Sequence, residues 1–255
     1  MLNTFMLSVK NLFKRFPVEG SFFRTKGFVE AVKNVSLEVG PDEIVALVGE
    51  SGSGKTTVGK LIQGLAVPDS GEILFNGIRA ESLSRKKRAA EVQMIFQDPF
   101  SSLNPKLSVG TMLREALMLA ENPEEPLALL DSVGLPPDIL HDYPHQFSGG
   151  QRQRLGIARA LAMRPRLVIA DEPVSALDVS ISAQILNLLL DLKAKTRISY
   201  LLITHDLSVV QSMADRILVM KDGEIVEEGS VASVYGSPKN SYTQTLLAAI
   251  PRITI

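Results

Sequence analysis

Glu43-Ile-Val-Ala-Leu-Val-Gly-Glu-Ser-Gly-Ser-Gly-Lys-Thr-Thr57 decides the fold of this chain. Glu43-Ile-Val-Ala-Leu-Val48 is a short apolar run and reads as a buried strand. Thr56 to Leu65 reads as a helix, with Val58, Leu61, Ile62 and Leu65 at helical spacing. Between them, Gly49 and Gly54 flank four residues and are followed by Lys55 and Thr56. Strand, glycine loop and helix in that order make a phosphate-binding loop. Glycines let backbone N–H groups curl around phosphate oxygens, and the helix N-terminus favours negative charge. Lys55 would reach the β- and γ-phosphates, and Thr56 would ligate Mg²⁺. The candidate nucleotide contacts are therefore Gly49, Ser51, Gly52, Ser53, Gly54, Lys55, Thr56 and Thr57.

Further along, Leu167-Val-Ile-Ala170 and Tyr200-Leu-Leu-Ile203 read as buried strands. Ile181, Ile185, Leu188, Leu189 and Leu192 line one helical face between them. Strands alternating with helices point to a mostly parallel sheet. Ile73 to Ile78, turning at Asn76-Gly77, and Arg216 to Glu227, turning at Asp222-Gly223, read as antiparallel hairpins. Residues 100–165 carry little strand signal. Their helical stretches are Val109 to Ala120, Pro126 to Val133 and Gly150 to Met163, broken by Pro123, Pro136-Pro137 and Pro144. The expected architecture is α/β: a P-loop NTPase (RecA-like) core, an antiparallel β subdomain and an inserted α-helical subdomain. Residues 1–99 and 166–235 form the core, 100–165 the insertion and 236–255 a tail, helical from Tyr242 to Ile250.

The strand Leu167 to Ala170 runs into Asp171 and Glu172, at the sheet end where open α/β folds bind ligands. Asp171 suits a Mg²⁺ held through water, and Glu172 suits a general base for the attacking water. Alone, the pair reads equally well as surface acids after a core strand. The phosphate loop upstream favours the catalytic reading.

Composition removes other classes. A net charge of -1 gives no global basic field for nucleic acid. The chain has no cysteine, which excludes disulfides, thiolate chemistry and cysteine-ligated zinc. No apolar run reaches the roughly 18–20 residues that span a bilayer. Met1 to Arg15 contains Lys10 and Lys14 and no small-residue cleavage site, so it does not read as a signal peptide. The basic run Arg85-Lys-Lys-Arg88 reads as a solvated helix face, with lipid headgroup contact as the minor alternative.

Six motifs in order carry a resemblance to the ATP-binding cassette (ABC) family over essentially the whole chain. They are the phosphate loop, Gln97, Ser148-Gly-Gly-Gln151, Asp171-Glu172, Ser175-Ala-Leu-Asp178 and Thr204-His-Asp206. Taken singly, Gln97 is a loop glutamine, His205 a capping or core histidine, and Gly149-Gly150 a helix start. Together, the resemblance implies that Gln97 contacts Mg²⁺ or the attacking water. It implies that Ser148, Gly149, Gly150 and Gln151 bind the nucleotide held by an opposite subunit. It implies that Asp178 lies in a loop that crosses between subunits and that His205 meets the γ-phosphate. Phe16 is the first choice for stacking on adenine, with Phe22 and Phe23 as alternatives.

Three stretches, Ile95 to Pro105, Asp171 to Ser180 and Ser237 to Pro251, are similar to the oligopeptide, dipeptide and nickel importer branch, in particular to the second of its two ATPase subunits. The implied cofactors are ATP and Mg²⁺. The implied partners are a second ABC ATPase subunit, identical or paralogous, two transmembrane permease subunits and, indirectly, a substrate-binding protein; nucleic acid is not among them. The implied place is the cytoplasmic face of the inner membrane, as a peripheral subunit. A soluble, non-transport ABC ATPase and a dimeric P-loop kinase are the competing classes.

Overall fold

Ile44–Val48 is buried along its whole length, as an unbroken aliphatic run requires when both strand faces are covered. The computed structural model describes residues 5–19, 25–98, 103–120 and 125–249. In chain order the strands are β1 (Leu7–Glu19), β2 (Thr25–Val39), β3 (Ile44–Val48), β4 (Ser70–Phe75), β5 (Ile78–Arg79), β6 (Val92–Ile95), β7 (Leu167–Asp171), β8 (Ser199–Thr204), β9 (Arg216–Lys221) and β10 (Glu224–Ser230). The α-helices are α1 (Lys55–Gln63), α2 (Arg85–Glu91), α3 (Val109–Leu117), α4 (Pro126–Ser132), α5 (Gly149–Leu161), α6 (Val179–Thr196), α7 (Leu207–Met213), α8 (Val231–Gly236) and α9 (Ser241–Ala248). They fall into two compact units, Met1–Ser82 with Leu201–Ile255, and Leu83–Tyr200.

In the first unit, β1 pairs antiparallel with both β2 and β4, giving the order β2-β1-β4-β5. The long β1–β2 pair is not visible in the sequence. Its register shifts between Val9 and Leu12, Leu12 and Lys14, and Lys14 and Arg15, so the two-residue alternation never persists. Asn11 (φ 50°) and Asn34 (φ 52°) bend the strands within it.

β3 runs parallel to β9, with Val45 opposite Arg216, and lies between β9 and β8. Both expected hairpins form. Asn76 and Gly77 have φ of 48° and 79°, and Asp222 and Gly223 have 48° and 90°. Two consecutive positive φ values make the tight turn that matches strand twist. Ala46 and Val48 of β3 and Ile217 and Val219 of β9 pack with Leu207 and Val210 of α7 and Val234 of α8. Tyr242, Leu246 and Leu247 lay α9 against that cluster.

α1 ends earlier than its apolar spacing suggests. Gly64 takes a left-handed φ of 87°, and its N–H closes onto Lys60 and Leu61. Leu65 consequently leaves the buried face and is 59% exposed.

The second unit has β6 parallel to β7 and helices α2 to α6, with no strand among the described residues between β6 and β7. Ser108 caps α3 and Pro126 opens α4 at its first turn. α5 packs against α3, α4, α6 and β6. α6 buries Ile185, Leu189 and Leu192, with Ile181 and Leu188 half-buried at the edge of the stripe. Arg85 to Lys87 lie exposed on α2, which buries none of its residues. Phe22, Phe23, Pro123, Ile250, Pro251 and residues 99–102 of the Ile95 to Pro105 stretch lie outside the described residues. Among the described residues, no helix is long and apolar enough to cross a membrane.

Candidate functional site

The glycine loop is enclosed by backbone. A Cβ on Gly49 would stand 2.1 Å from the Met220 carbonyl, and one on Gly54 2.1 Å from the Ala31 carbonyl. Both glycines also have positive φ, 154° and 105°. Only glycine permits this conformation and this proximity together. The Asp222-Gly223 turn supports the loop, since Gly223 N–H donates to Ser53 O at 3.0 Å and Lys33 N–H donates to Gly223 O at 2.8 Å. Lys55 is 5% exposed, and its Nζ donates to Gly49 O and Glu50 O, each at 2.8 Å. The cation is thus held at the loop's own carbonyls, at the start of α1. Thr56 and Thr57 follow it in the first turn of that helix.

Tyr242 was not singled out by sequence. Its hydroxyl accepts from Glu50 N–H at 3.1 Å, and Lys221 Nζ lies 4.8 Å from its ring centre. Burial, foremost, pushes this hydroxyl above its ordinary pKa. The only hint in the sequence was its place in the tail segment.

Phe16 is 40% exposed on β1, opposite Val29 of β2, with Lys14 Nζ 5.4 Å from its ring centre. It is therefore not a core aromatic, and its ring is open to stacking. His205 follows buried β8 and is exposed. Thr204 Oγ1 accepts from Asp206 N–H at 3.0 Å, and Asp206 caps α7 through Ser208 N–H at 2.8 Å. This fixes the backbone on both sides of the imidazole.

In the second unit, β7 ends on Asp171, which is 3% exposed. Glu172 then takes a left-handed φ of 45°, so the chain turns sharply after the strand. Ser175 N–H and its hydroxyl both donate to Glu172 O, at 3.3 and 3.2 Å. Gln97 Nε2 donates to Glu172 Oε2 at 3.1 Å. The structure thus brings Gln97 and Glu172, 75 residues apart, into direct contact. A carboxylate steered by an amide N–H and a neighbouring buried carboxylate can accept a proton and hold a cation, respectively.

Ser148 caps α5. Gln151 N–H donates to Ser148 Oγ at 3.3 Å, and Ser148 N–H donates to Gln151 Oε1 at 3.0 Å. This reciprocal cap leaves Gly149 and Gly150 in the first turn. A Cβ on Gly150 would come within 2.5 Å of Ile181 Cγ2, and one on Gly149 within 3.2 Å of Leu177. The two motifs therefore touch: the glycines of α5 pack on the segment that leads into α6. Asp178 caps α6 through Ile181 N–H at 2.9 Å. Ser182, also unnoticed in the sequence, donates to Val174 O and Leu177 O, at 3.3 and 3.4 Å, and holds the segment between.

The family model described as ABC transporter matches residues 32–175. The glutathione import ATP-binding protein GsiA of Salmonella paratyphi A is 47% identical over 256 residues, which cover 96% of this chain and 41% of that protein. The chain thus spans about two-fifths of that relative's length. A Brucella ovis protein named for peptide import and ATP binding is 44% identical over 260 residues, covering 98% of this chain and 80% of its own. Among solved structures, the dimeric post-hydrolysis state of the ATP-binding cassette MJ0796 bound to ADP and Pi aligns with a TM-score of 0.77 at 30% identity, over 89% of this chain and 99% of that one. CbiO1 of Clostridium perfringens, part of the ABC transporter complex cbiONQ, aligns with a TM-score of 0.72 at 26% identity, over 92% of each chain.

Proposed function

The chain belongs to the ABC transporter family, and from that premise we propose that it is the ATP-hydrolysing subunit of an importer for peptides or related small solutes. The observation that carries the reading is the hydrogen bond from Gln97 to Glu172 at the end of β7, in a chain that also holds a lysine-bearing phosphate loop. The named import functions of the relatives supply the direction and the class of cargo.

In this reading the N–H groups of Gly49 to Thr57 and the Lys55 cation hold the phosphates. Phe16 stacks on adenine. Thr56, Gln97 and Asp171 offer a hydroxyl, an amide oxygen and one carboxylate. Hard oxygen donors with a single charge fit Mg²⁺, which keeps several of its waters. When bound, Mg²⁺ neutralises charge on the phosphates. Glu172 takes the proton of the attacking water, Gln97 orients that carboxylate, and His205 meets the γ-phosphate. Ser148, Gly149, Gly150, Gln151 and Asp178 serve the nucleotide of a second cassette, a copy of this chain or a paralogue. Residues 100–165 move as a unit when two cassettes close, and two transmembrane permease subunits take up that motion. A substrate-binding protein delivers the cargo on the other side, and this chain sits on the cytoplasmic face of the inner membrane.

Purification of the native assembly from detergent-extracted membranes tests the reading. Recovery with a second cassette and two strongly apolar membrane chains is expected. Recovery only with soluble protein or nucleic acid would overturn it.

A further inference from the structure

The Gly49–Glu50 peptide is gripped from both edges. Its carbonyl accepts from Lys55 Nζ at 2.8 Å, and its N–H donates to the Tyr242 hydroxyl at 3.1 Å. A trans peptide is planar, so fixing the direction of its N–H fixes the direction of its C=O. Whatever holds the N–H therefore sets where the lysine ammonium rests. We propose that Tyr242 is a positioning residue of the nucleotide site, acting on Lys55 through this one peptide.

The surroundings of Tyr242 suit the task. α9 is anchored at its start, where the Glu227 carboxylate accepts from Lys239 N–H at 2.7 Å and Asn240 N–H at 3.0 Å. Asn240 Oδ1 caps the helix by accepting from Tyr242 N–H at 2.9 Å. Leu246 and Leu247 pack the same helix on the core of β3 and β9. Lys221, whose ammonium lies over the Tyr242 ring, precedes the Asp222-Gly223 turn. That turn grips the loop at a second point, Ser53 O. The tail helix and the β9–β10 turn thus hold the loop at its second and fifth residues. The tail is a structural part of the site, although it lies nearly 200 residues from the loop in sequence.

The proposal rests on the reading of the loop as an ATP site, and the test separates the two. Tyr242→Phe removes the hydroxyl and keeps the ring and its packing. ATP affinity and melting temperature with and without ATP are measured for wild type, Tyr242→Phe, Lys55→Ala and the double variant. Loss of one hydrogen bond corresponds to a weakening of ATP binding of about three- to tenfold. The nucleotide-free melting temperature is expected to stay put while the rise produced by ATP shrinks. In the Lys55→Ala background, removing the hydroxyl is expected to change ATP affinity less than twofold. Unchanged ATP affinity in Tyr242→Phe overturns the proposal. So does a lower nucleotide-free melting temperature with a full ATP-induced rise, which marks a merely structural role. Equal weakening in both backgrounds overturns the route through Lys55. Failure of wild type to bind ATP instead overturns the reading of the loop itself.

Discussion

Glu172 carries the chain through a left-handed turn immediately after a buried strand, at φ 45°. For a residue with a Cβ this conformation costs about 1–3 kcal/mol and persists only where neighbours enforce it. The two donors of Ser175 to its carbonyl and the Gln97 amide on its carboxylate provide that enforcement. The Asp171-Glu172 pair itself was legible in the sequence, because an apolar strand ending in two acids is a recognisable pattern. The turn was not, since left-handed backbone at a glutamate leaves no compositional trace. Nor was the Gln97 contact, which depends on tertiary structure bridging 75 residues. Glu172→Gln keeps the shape and removes the proposed base. Phosphate release from ATP is expected to fall by about 10²- to 10⁴-fold while ATP binding persists. Normal turnover in a phosphate-release assay would remove Glu172 from that role.

At the level of elements, turn chemistry was the most readable signal. Asn76-Gly77 and Asp222-Gly223 announce their hairpins because few residue pairs accept two positive φ values. Strand β3 was equally plain, as was α1 apart from its end. The β1–β2 pair was hidden by its bulges. The anchoring of α9 by Glu227 was hidden too, because a strand carboxylate that accepts from backbone N–H groups beyond the intervening helix α8 leaves no pattern in the sequence. Burial pushes the Glu227 carboxyl up, but hydrogen bonds from Lys239 N–H and Asn240 N–H outweigh it and hold the group below its ordinary value. A lowered pKa contributes stability above the unfolded value near 4.5, and that contribution is lost as pH falls through the lower folded value. Glu227→Gln is therefore expected to destabilise the protein at pH 7 by about 1 kcal/mol, a figure reduced for solvent screening. The gap from wild type should close as pH falls below 4.5 and through the lower folded value, because both side chains are then uncharged. Denaturant unfolding at the two pH values checks this, and a gap that does not depend on pH would show that charge is not what anchors the tail.

On the scale of the whole molecule, membership of the ABC transporter family was legible because six short motifs occur in a fixed order, and the order says more than any one of them. What the proposed function asks of a second chain is clearest at Ser148. Its hydroxyl and the first turn of α5 form a capped helix start with two glycines, a ready place for phosphate. In the proposed function that place serves the nucleotide of a second cassette. Ser148→Arg and Glu172→Gln then damage complementary halves of a shared site. Each variant alone should be nearly inactive. Mixed in equal amounts, the two chains should form pairs with one intact site, regaining roughly a quarter of wild-type phosphate release for random pairing. Where the wild-type chain pairs with itself on ATP, a mixture that stays as inactive as either variant alone would contradict the shared site, and with it the reading of this chain as one half of a paired ATPase.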